Sequence, residues 1–191
     1  MLGCDLDYLQ NFHYQSDGWM SVKSAKAYEY STETLFLGAQ DAMQRQSLVP
    51  LAHFMKGRDE RQTRLLEVNA GTGRVHTFIK DNWPLMPTVC SDLSPFYLDE
   101  ARENVEYFSN WRNAQHPATQ AVAPTTFLQA AAEELEGVED GSMDVIMSVY
   151  LFHELPSEVR RACADTWLRK LKPGGIVIIT DSLQVTPARC R

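Results

Sequence analysis

The fold of this chain is decided by Arg64-Leu65-Leu66-Glu67-Val68-Asn69-Ala70-Gly71-Thr72-Gly73-Arg74, where an apolar run passes through small residues into a helical pattern. This order predicts a strand, a tight loop and the start of a helix. Gly71 and Gly73 allow the backbone to approach a ligand closely, and the free N–H groups of the helix attract a polar or anionic group. The stretch therefore predicts a cofactor site.

Two common nucleotide-binding patterns are absent from this loop. An NAD site favours G-x-G-x-x-G, yet His76 stands three residues after Gly73, and Asn69 stands two residues before Gly71. The phosphate-loop pattern G-x-x-x-x-G-K-[S/T] does not occur either. A nucleotide-dependent oxidoreductase is therefore the weakest of the functional alternatives.

Composition limits the class of protein. A chain of 191 residues, 44% hydrophobic and 23% charged, can form one ordinary globular domain with an extension. The formal net charge of −7 argues against nucleic acid as a partner, because phosphate binding needs a basic stripe. No apolar run approaches the roughly 20 residues that span a membrane. The cysteines are Cys4, Cys90, Cys163 and Cys190. They follow no secretory signal and lack the spacing of metal ligands or of a disulfide framework, so we expect a soluble cytoplasmic protein without a metal site.

The segment before the glycine loop differs in pattern from the rest. Residues 1–30 are rich in aromatics without a clear period, which predicts a loop-rich arm. Apolar residues recur at helical spacing over 32–43, and a second helix follows Pro50. We therefore divide the chain into an N-terminal arm with helices, residues 1–57, and a cofactor-binding domain, residues 58–191.

Strands and helices alternate beyond the glycine loop. A helix follows Arg74, and another begins at Pro95 behind Ser94 as its cap. The remaining elements are strands at 88–92, 125–129, 143–149 and 175–181 and a helix at 157–171 that a Lys172-Pro173-Gly174-Gly175 turn ends. Strands separated by amphipathic helices predict an α/β fold with a doubly wound, mostly parallel sheet.

Two acids stand out near this predicted sheet. Asp92 ends a strand 19 residues after Gly73, which places it at a neighbouring strand end where its oxygens could accept both ribose hydroxyls of an adenosine. The alternative is that Asp92 caps the helix from Pro95. Glu67 lies within an apolar strand, where a carboxylate needs a partner.

Four motifs in order resemble class I S-adenosylmethionine-dependent methyltransferases. The first is Leu-Leu-Glu-Val-x-x-Gly-Thr-Gly-Arg, and the others are Ser91-Asp92-Leu93-Ser94-Pro95, the run 127–135 and the run 142–156. The Lys-Pro-Gly-Gly turn is similar to the family's approach to strand five. The segment Phe152-His153-Glu154-Leu155-Pro156 resembles the corresponding segment of small-molecule methyltransferases such as those of quinone biosynthesis.

The resemblance implies S-adenosylmethionine as cofactor and a small-molecule methyl acceptor. It gives Glu67 the role of supporting the glycine loop and the cofactor's methionine amino group, with a hydrogen-bonded loop brace as the alternative. It also implies these cofactor-binding residues: Glu67, Asn69, Ala70, Gly71, Gly73, Arg74, Asp92, Leu93, Ala131, Ala132, Glu133 and Val149.

His153 is the candidate catalytic base, because a histidine can accept a proton at neutral pH. The alternative is that His153 packs or orders its loop. Asn69 stands where many members have glycine, and Ala131 stands where an Asp often accepts the adenine amino group. These two departures support a second hypothesis, a non-catalytic binding or scaffold protein with the methyltransferase fold.

The resemblance also implies two further strands after strand five, for which the sequence up to Arg191 has no room. Strand five, with its apolar run Ile176-Val177-Ile178-Ile179, is then expected at a sheet edge, where it could pair with another chain. We expect that the natural polypeptide is longer, or that the tail, a partner or a second copy covers this edge. A self-sufficient monomer is the alternative.

Overall fold

A computed structural model describes residues 18–119 and 121–182 of the chain, with a five-stranded sheet between layers of helices. The strands run in the order β3-β2-β1-β4-β5, and every neighbouring pair is parallel. Their bounds are β1 Leu65–Val68, β2 Thr88–Asp92, β3 Thr125–Gln129, β4 Met143–Val149 and β5 Leu171–Thr180. The predicted α/β, Rossmann-like fold with an N-terminal helical extension is confirmed.

Six helices accompany these strands in the described residues. They are α1 Val22–Leu35, α2 Gln40–Gln44, α3 Leu48–Met55, α4 Arg74–Asn82, α5 Pro95–Gln115 and α6 Ser157–Lys170, with short 3₁₀ turns at Arg45–Ser47 and Glu60–Gln62. As predicted, Ser94 caps α5 and its Oγ accepts from the N–H of Tyr97 at 3.3 Å.

The core lies on both faces of β1, because successive side chains of a strand point to opposite sides. Leu65 packs in one cluster with Leu51 of α3 and Ile79 of α4. Leu66 packs in a second cluster with Trp167 of α6. A strand buried on both faces reads as a continuous apolar run, which is why β1 was recognisable from sequence. Since Leu51 belongs to the first cluster, helix α3 shares the core of the sheet.

The expectation of a loop-rich arm up to residue 30 is wrong from Val22 onward, because α1 begins there. Ser21 caps this helix by accepting from the N–H of Ser24 at 3.0 Å. The inward face of α1 carries Ser24, Ala25 and Tyr28. These side chains recur at helical spacing but are mostly small or polar, so hydrophobic periodicity did not reveal the helix.

The helix expected over 32–43 is also wrong as one element. The chain turns between α1 and α2, where Leu37 and Gly38 have φ values of 54° and 81°. The N–H of Gly38 donates to the carbonyl of Glu33 at 2.8 Å, a bond that closes the end of α1. Between residues 18 and 64, three α-helices therefore precede β1, where two were expected.

Strand β5 starts earlier than expected. Helix α6 ends at Lys170, and β5 already runs from Leu171, so the Lys-Pro-Gly-Gly turn lies within the strand. The ladder with β4 is irregular between Met143 and Val145, which accommodates this segment. In the described part of the chain β5 pairs only with β4. No helix within the described ranges is long and apolar enough to cross a membrane.

Candidate active site

A cavity of about 860 Å³ opens at the carboxyl ends of the strands. Parallel α/β sheets bind ligands at this edge, because the loops that follow the strands converge there. Each strand contributes at least one lining residue from its end or the loop after it: Asn69, Asp92, Leu93, Ala130, Tyr150 and Asp181. The sequence-predicted residues Gly71, Ala132 and His153 line the same cavity.

The glycine loop requires left-handed backbone at three positions. Asn69, Gly71 and Gly73 have φ values of 59°, 56° and 75°. Asn is one of the few other residues that adopts this conformation readily, so Asn69 replaces a glycine without distorting the loop. A Cβ at Gly71 would meet only the Tyr97 ring, at 4.0 Å, and would otherwise fill the cavity.

Gly73 has a different reason to be glycine. A Cβ at this position would lie 3.0 Å from the Cβ and 3.1 Å from the Cα of Ala101. The absence of a side chain therefore allows α4 to begin against α5. Gly73 does not line the main cavity in the described residues.

Asp92 is almost completely buried and braces two loops. Its carboxylate oxygens accept from the backbone N–H groups of Gly71 and Ser94, each at 2.8 Å. Burial raises the pKa of Asp92 to about 6, although these hydrogen bonds act to lower it. Each carboxylate oxygen retains a further lone pair, which a ligand hydroxyl in the cavity can use.

Glu67 has its own buried partner. Its carboxylate lies 2.8 Å from Nδ1 of His76, and Nε2 of His76 lies 2.9 Å from the hydroxyl of Thr88. Cys90 completes a buried group whose possible ligand atoms lie within 4.8 Å of one another. Burial raises the pKa of the Cys90 thiol well above its ordinary value. Glu67, His76 and Thr88 form a buried hydrogen-bonded chain that links β1, α4 and β2.

A second cavity of about 30 Å³ shares Asn69 and Gly71 with the main one. Its lining includes these further predicted residues: Glu67, Ala70, Arg74 and Val149. The guanidinium of Arg74 donates to both carboxylate oxygens of Asp41, at 3.0 and 2.5 Å, so it ties α4 to α2. This bond to Asp41 raises the pKa of Arg74.

The loop after β3 contributes fewer of its predicted residues to the cavities than expected. Among its predicted residues Ala132 lines the main cavity, and its carbonyl accepts from Nε1 of Trp167 at 2.8 Å. Ala131 and Glu133 line neither cavity in the described part of the chain. The charge of Glu133 contributes to raising the pKa of Cys163 to about 12, behind the larger effect of burial.

His153 lies between two carboxylates in the cavity. Its Nδ1 is 2.6 Å from Asp181 and its Nε2 is 3.0 Å from Glu154. The backbone N–H of His153 also donates to Asp181, at 3.2 Å. The bond to Glu154, and then Asp181, raise the pKa of His153 above its ordinary value against an opposing effect of burial. The imidazolium form is favoured in this arrangement.

Sequence reasoning missed several residues of the cavity. Tyr150 and Asp181 follow directly after β4 and β5, so the rule that ligands bind at strand ends could have found both. Tyr150 has a φ of 59°, which is rare for a bulky residue and is typical of functional sites. Gln40 gave no such signal, because its place depends on how α2 packs.

Helix α1 covers the glycine loop. The Thr72 hydroxyl donates to the Glu29 carboxylate of α1, and the Tyr28 ring packs edge-on against Tyr97 with centroids 5.4 Å apart. The hydroxyl of Ser94 donates to the Trp19 carbonyl at 2.5 Å. The N-terminal segment therefore forms one wall of the cavity.

Comparison with known proteins identifies this arrangement. The family model described as "Methyltransferase domain" matches residues 66–179, which include the glycine loop and all of Asp92, His153 and β4. The chain belongs to this methyltransferase family. Its cofactor is S-adenosylmethionine. No curated protein matches the chain.

Solved methyltransferase structures share the fold. Phosphoethanolamine N-methyltransferase 2 of Haemonchus contortus, in complex with S-adenosyl-L-methionine, is 23% identical with a TM-score of 0.59, over 86% of this chain and 33% of that chain. A SAM-dependent methyltransferase of Aquifex aeolicus is 17% identical with a TM-score of 0.54, over 75% of this chain and 71% of that one. The chain spans less than half the length of several other similar structures.

The residues present fit the cofactor of this methyltransferase family. Gly71 leaves open space where a Cβ would stand, and Asp92 offers carboxylate oxygens beside it. The cavity around them combines apolar and aromatic side chains with polar and charged ones, which can fix the orientation of a bound small molecule.

Proposed function

We propose that this chain transfers a methyl group from S-adenosylmethionine to a small-molecule acceptor bound in the main cavity. The observation that carries this proposal is that one cavity contains Gly71 and Asp92 together with His153. When bound, the cofactor supplies a methyl group on a positively charged sulfur. The protein then has to bind and orient both molecules and exclude water. A volume of about 860 Å³ falls within the usual range of ligand sites.

The cofactor contacts that we propose follow the sequence motifs. Asp92 accepts the ribose hydroxyls, Gly71 allows close approach of the backbone, and Leu93 and Ala132 border the adenine. Glu67 supports the glycine loop through His76. The other proposed contributors are Asn69, Ala70, Gly73, Arg74, Ala131, Glu133 and Val149, of which Gly73, Ala131 and Glu133 act by shaping the loops. The N-terminal segment, residues 1–57, contributes the wall formed by α1, and residues 58–191 form the cofactor-binding domain.

His153 is the proposed base. The bond from Nδ1 to Asp181 orients the ring. When the acceptor replaces Glu154, the imidazolium releases its Nε2 proton to solvent, and the neutral Nε2 then accepts the acceptor's proton. His153→Ala should lower turnover about 10²- to 10⁴-fold while the affinity for S-adenosylhomocysteine changes little. Turnover within a few-fold of the parent would favour the alternative, in which His153 only orders its loop.

The experiment that tests the proposal has two stages. Calorimetry with S-adenosylhomocysteine measures cofactor binding, and Asp92→Ala should weaken it by about 1–3 kcal/mol because the ribose hydroxyls lose their acceptor. Methyl transfer is then measured with methyl-labelled S-adenosylmethionine and a fractionated metabolite extract. An unchanged affinity of the variant would reject Asp92 as the ribose acid.

A non-catalytic binding protein is the second candidate. Ala131 favours it, since an alanine side chain offers no acceptor to the adenine amino group. Asn69 no longer distinguishes the two, because it adopts the backbone conformation of the glycine that it replaces. Binding of S-adenosylhomocysteine without any methyl transfer would favour this candidate.

A further inference from the structure

The acceptor side of the cavity has an unusual charge. Glu154 and Asp181 flank the single positive charge of His153 when its ring is protonated, so this cluster carries one net negative charge. Asp92 adds another carboxylate. Among the described residues that line the cavity there is no lysine or arginine. Within the part of the chain that the structure describes, an anionic ligand would therefore meet carboxylates without a lysine or arginine beside them, whereas a cationic ligand would be attracted to these carboxylates.

Gln40 is a buried amide without a partner. Its side chain is fully buried at the first residue of α2, and neither Nε2 nor Oε1 has a hydrogen-bond partner among residues 18–119 and 121–182. Gln40 is also one of the residues that line the cavity. Buried polar groups of native proteins are almost always hydrogen-bonded, so an unpaired amide beside a cavity indicates a polar ligand group.

The walls around these polar groups are aromatic. Phe36 and Tyr150 lie nearly parallel with ring centroids 6.4 Å apart, and Tyr150 meets the His153 ring edge-on at 6.5 Å. Aromatic faces attract cations as well as apolar bodies. Leu35 and Phe36 are partly exposed at 56% and 38% while they line the cavity, so its entrance is apolar.

We propose that the methyl acceptor is an amine: a molecule with an aromatic or aliphatic body whose protonated nitrogen binds beside Glu154 and Asp181. Before transfer this nitrogen passes one proton to Nε2 of His153 once that ring nitrogen is neutral. The freed lone pair then takes the methyl group as its bond to the cofactor's sulfur breaks, and S-adenosylhomocysteine leaves. Gln40 is the specificity residue for a second polar group on that body. The inference rests on the proposed function. Bound S-adenosylmethionine itself carries one net positive charge, which balances one of the two negative charges of the cavity. One negative charge then remains for the amine.

The test uses matched ligands on the protein saturated with S-adenosylhomocysteine. Each of three bodies is presented with an amine, a hydroxyl or a carboxylate: tyramine, tyrosol and 4-hydroxyphenylacetate; tryptamine, tryptophol and indoleacetate; hexylamine, hexanol and hexanoate. Calorimetry should find the amine about tenfold tighter than the alcohol in at least one set, because a charge-assisted hydrogen bond replaces a neutral one. Carboxylates should bind most weakly.

Single substitutions test which side chains cause the preference for the amine over the alcohol. Glu154→Gln should remove the advantage of the amine over the alcohol and leave the affinity for S-adenosylhomocysteine unchanged. Gln40→Leu should weaken tyramine and tyrosol by a similar factor, because it removes hydrogen bonds and no charge. Glu158→Gln, which removes an exposed carboxylate outside the cavity, is the matched control. It should change neither the preference for the amine nor the affinity for tyramine and tyrosol.

Three outcomes would overturn the proposal. The first is a carboxylate that binds as tightly as its amine, and the second is no amine binding at about 10 mM, where even weak complexes form. The third is Glu154→Gln weakening S-adenosylhomocysteine as strongly as tyramine, which would assign the acid to the cofactor. Failure of S-adenosylhomocysteine to bind the parent protein would instead contradict the proposed function.

Discussion

Asn69 shows how one residue satisfies a backbone requirement of the glycine loop. Its φ of 59° lies in the left-handed region, where a β-branched side chain is strained. Asn69→Val should therefore lower the free energy of unfolding by about 1–2 kcal/mol. Asn69→Gly, the matched control, should stay close to the parent. Urea denaturation measures both, and equal stability of the two variants would contradict the argument from backbone strain.

Asp92 makes cofactor binding depend on pH. Burial raises its pKa to about 6, so the carboxylate is ionised above that pH and protonated below it. Only the ionised group accepts both ribose hydroxyls, so the affinity for S-adenosylhomocysteine should fall about tenfold for each pH unit below 6. The bonds to Glu154 and Asp181 raise the pKa of His153, which moves the titration of that ring away from the acidic range in which Asp92 titrates.

Calorimetry at a series of pH values checks this expectation. Asp92→Asn, which cannot ionise, is the control and should bind weakly with little pH dependence. An affinity of the parent that does not change between about pH 5 and 7 would mean that ionisation of Asp92 is not needed for binding.

At the scale of elements, the two glycines of the loop have separate tasks. Gly73 lets α4 begin against Ala101 of α5, whereas Gly71 faces open space in the cavity. Both have positive φ, so alanine brings similar backbone strain at either position. Gly73→Ala should cost about 1–3 kcal/mol more in the free energy of unfolding than Gly71→Ala, because only the first overpacks a helix contact.

Ligand affinity should show the opposite order. Gly71→Ala should weaken S-adenosylhomocysteine more than Gly73→Ala does, because the new methyl group enters the cavity. Thermal denaturation and calorimetry on the same pair of variants measure both quantities. Equal loss of stability in the two would show that the contact with Ala101 relaxes without cost.

At the scale of the whole molecule, β5 is the strand that neighbours β4 alone in the described residues. Val177 is partly buried against the core cluster of α6, and Ile179 is 47% exposed. An apolar edge strand is a template for pairing with another chain. We predict that the 191-residue chain self-associates at high concentration and that Ile179→Lys relieves the association.

Light scattering over roughly a hundred-fold range of concentration measures this effect. Leu168→Lys replaces a similarly exposed apolar residue on α6 with the same charge and is the control. If both variants reduce self-association, the cause is the added charge and not its place on β5. A parent protein that stays monomeric at every concentration would reject pairing through β5.

Local sequence patterns were enough to predict the order of strands and helices after residue 64 and the place of the cofactor loop. Those features depend on neighbouring residues: apolar runs, the Ser94–Pro95 helix start and the spacing of Gly71 and Gly73. The resemblance in motifs added the family and the cofactor, which the match over residues 66–179 confirms.

Which side chains of distant segments contact each other is known from the folded structure and could not be predicted from the sequence. Glu67 is braced by His76, which a different element supplies across the face of the sheet. His153 reaches Asp181, 28 residues away, because β4 and β5 are parallel and end at the same edge. Helix α1 and the burial of Gln40 depend on packing against the sheet domain, and their polar faces leave no hydrophobic period to read. Contacts between distant segments are set by sheet register and helix packing, which local sequence patterns do not encode.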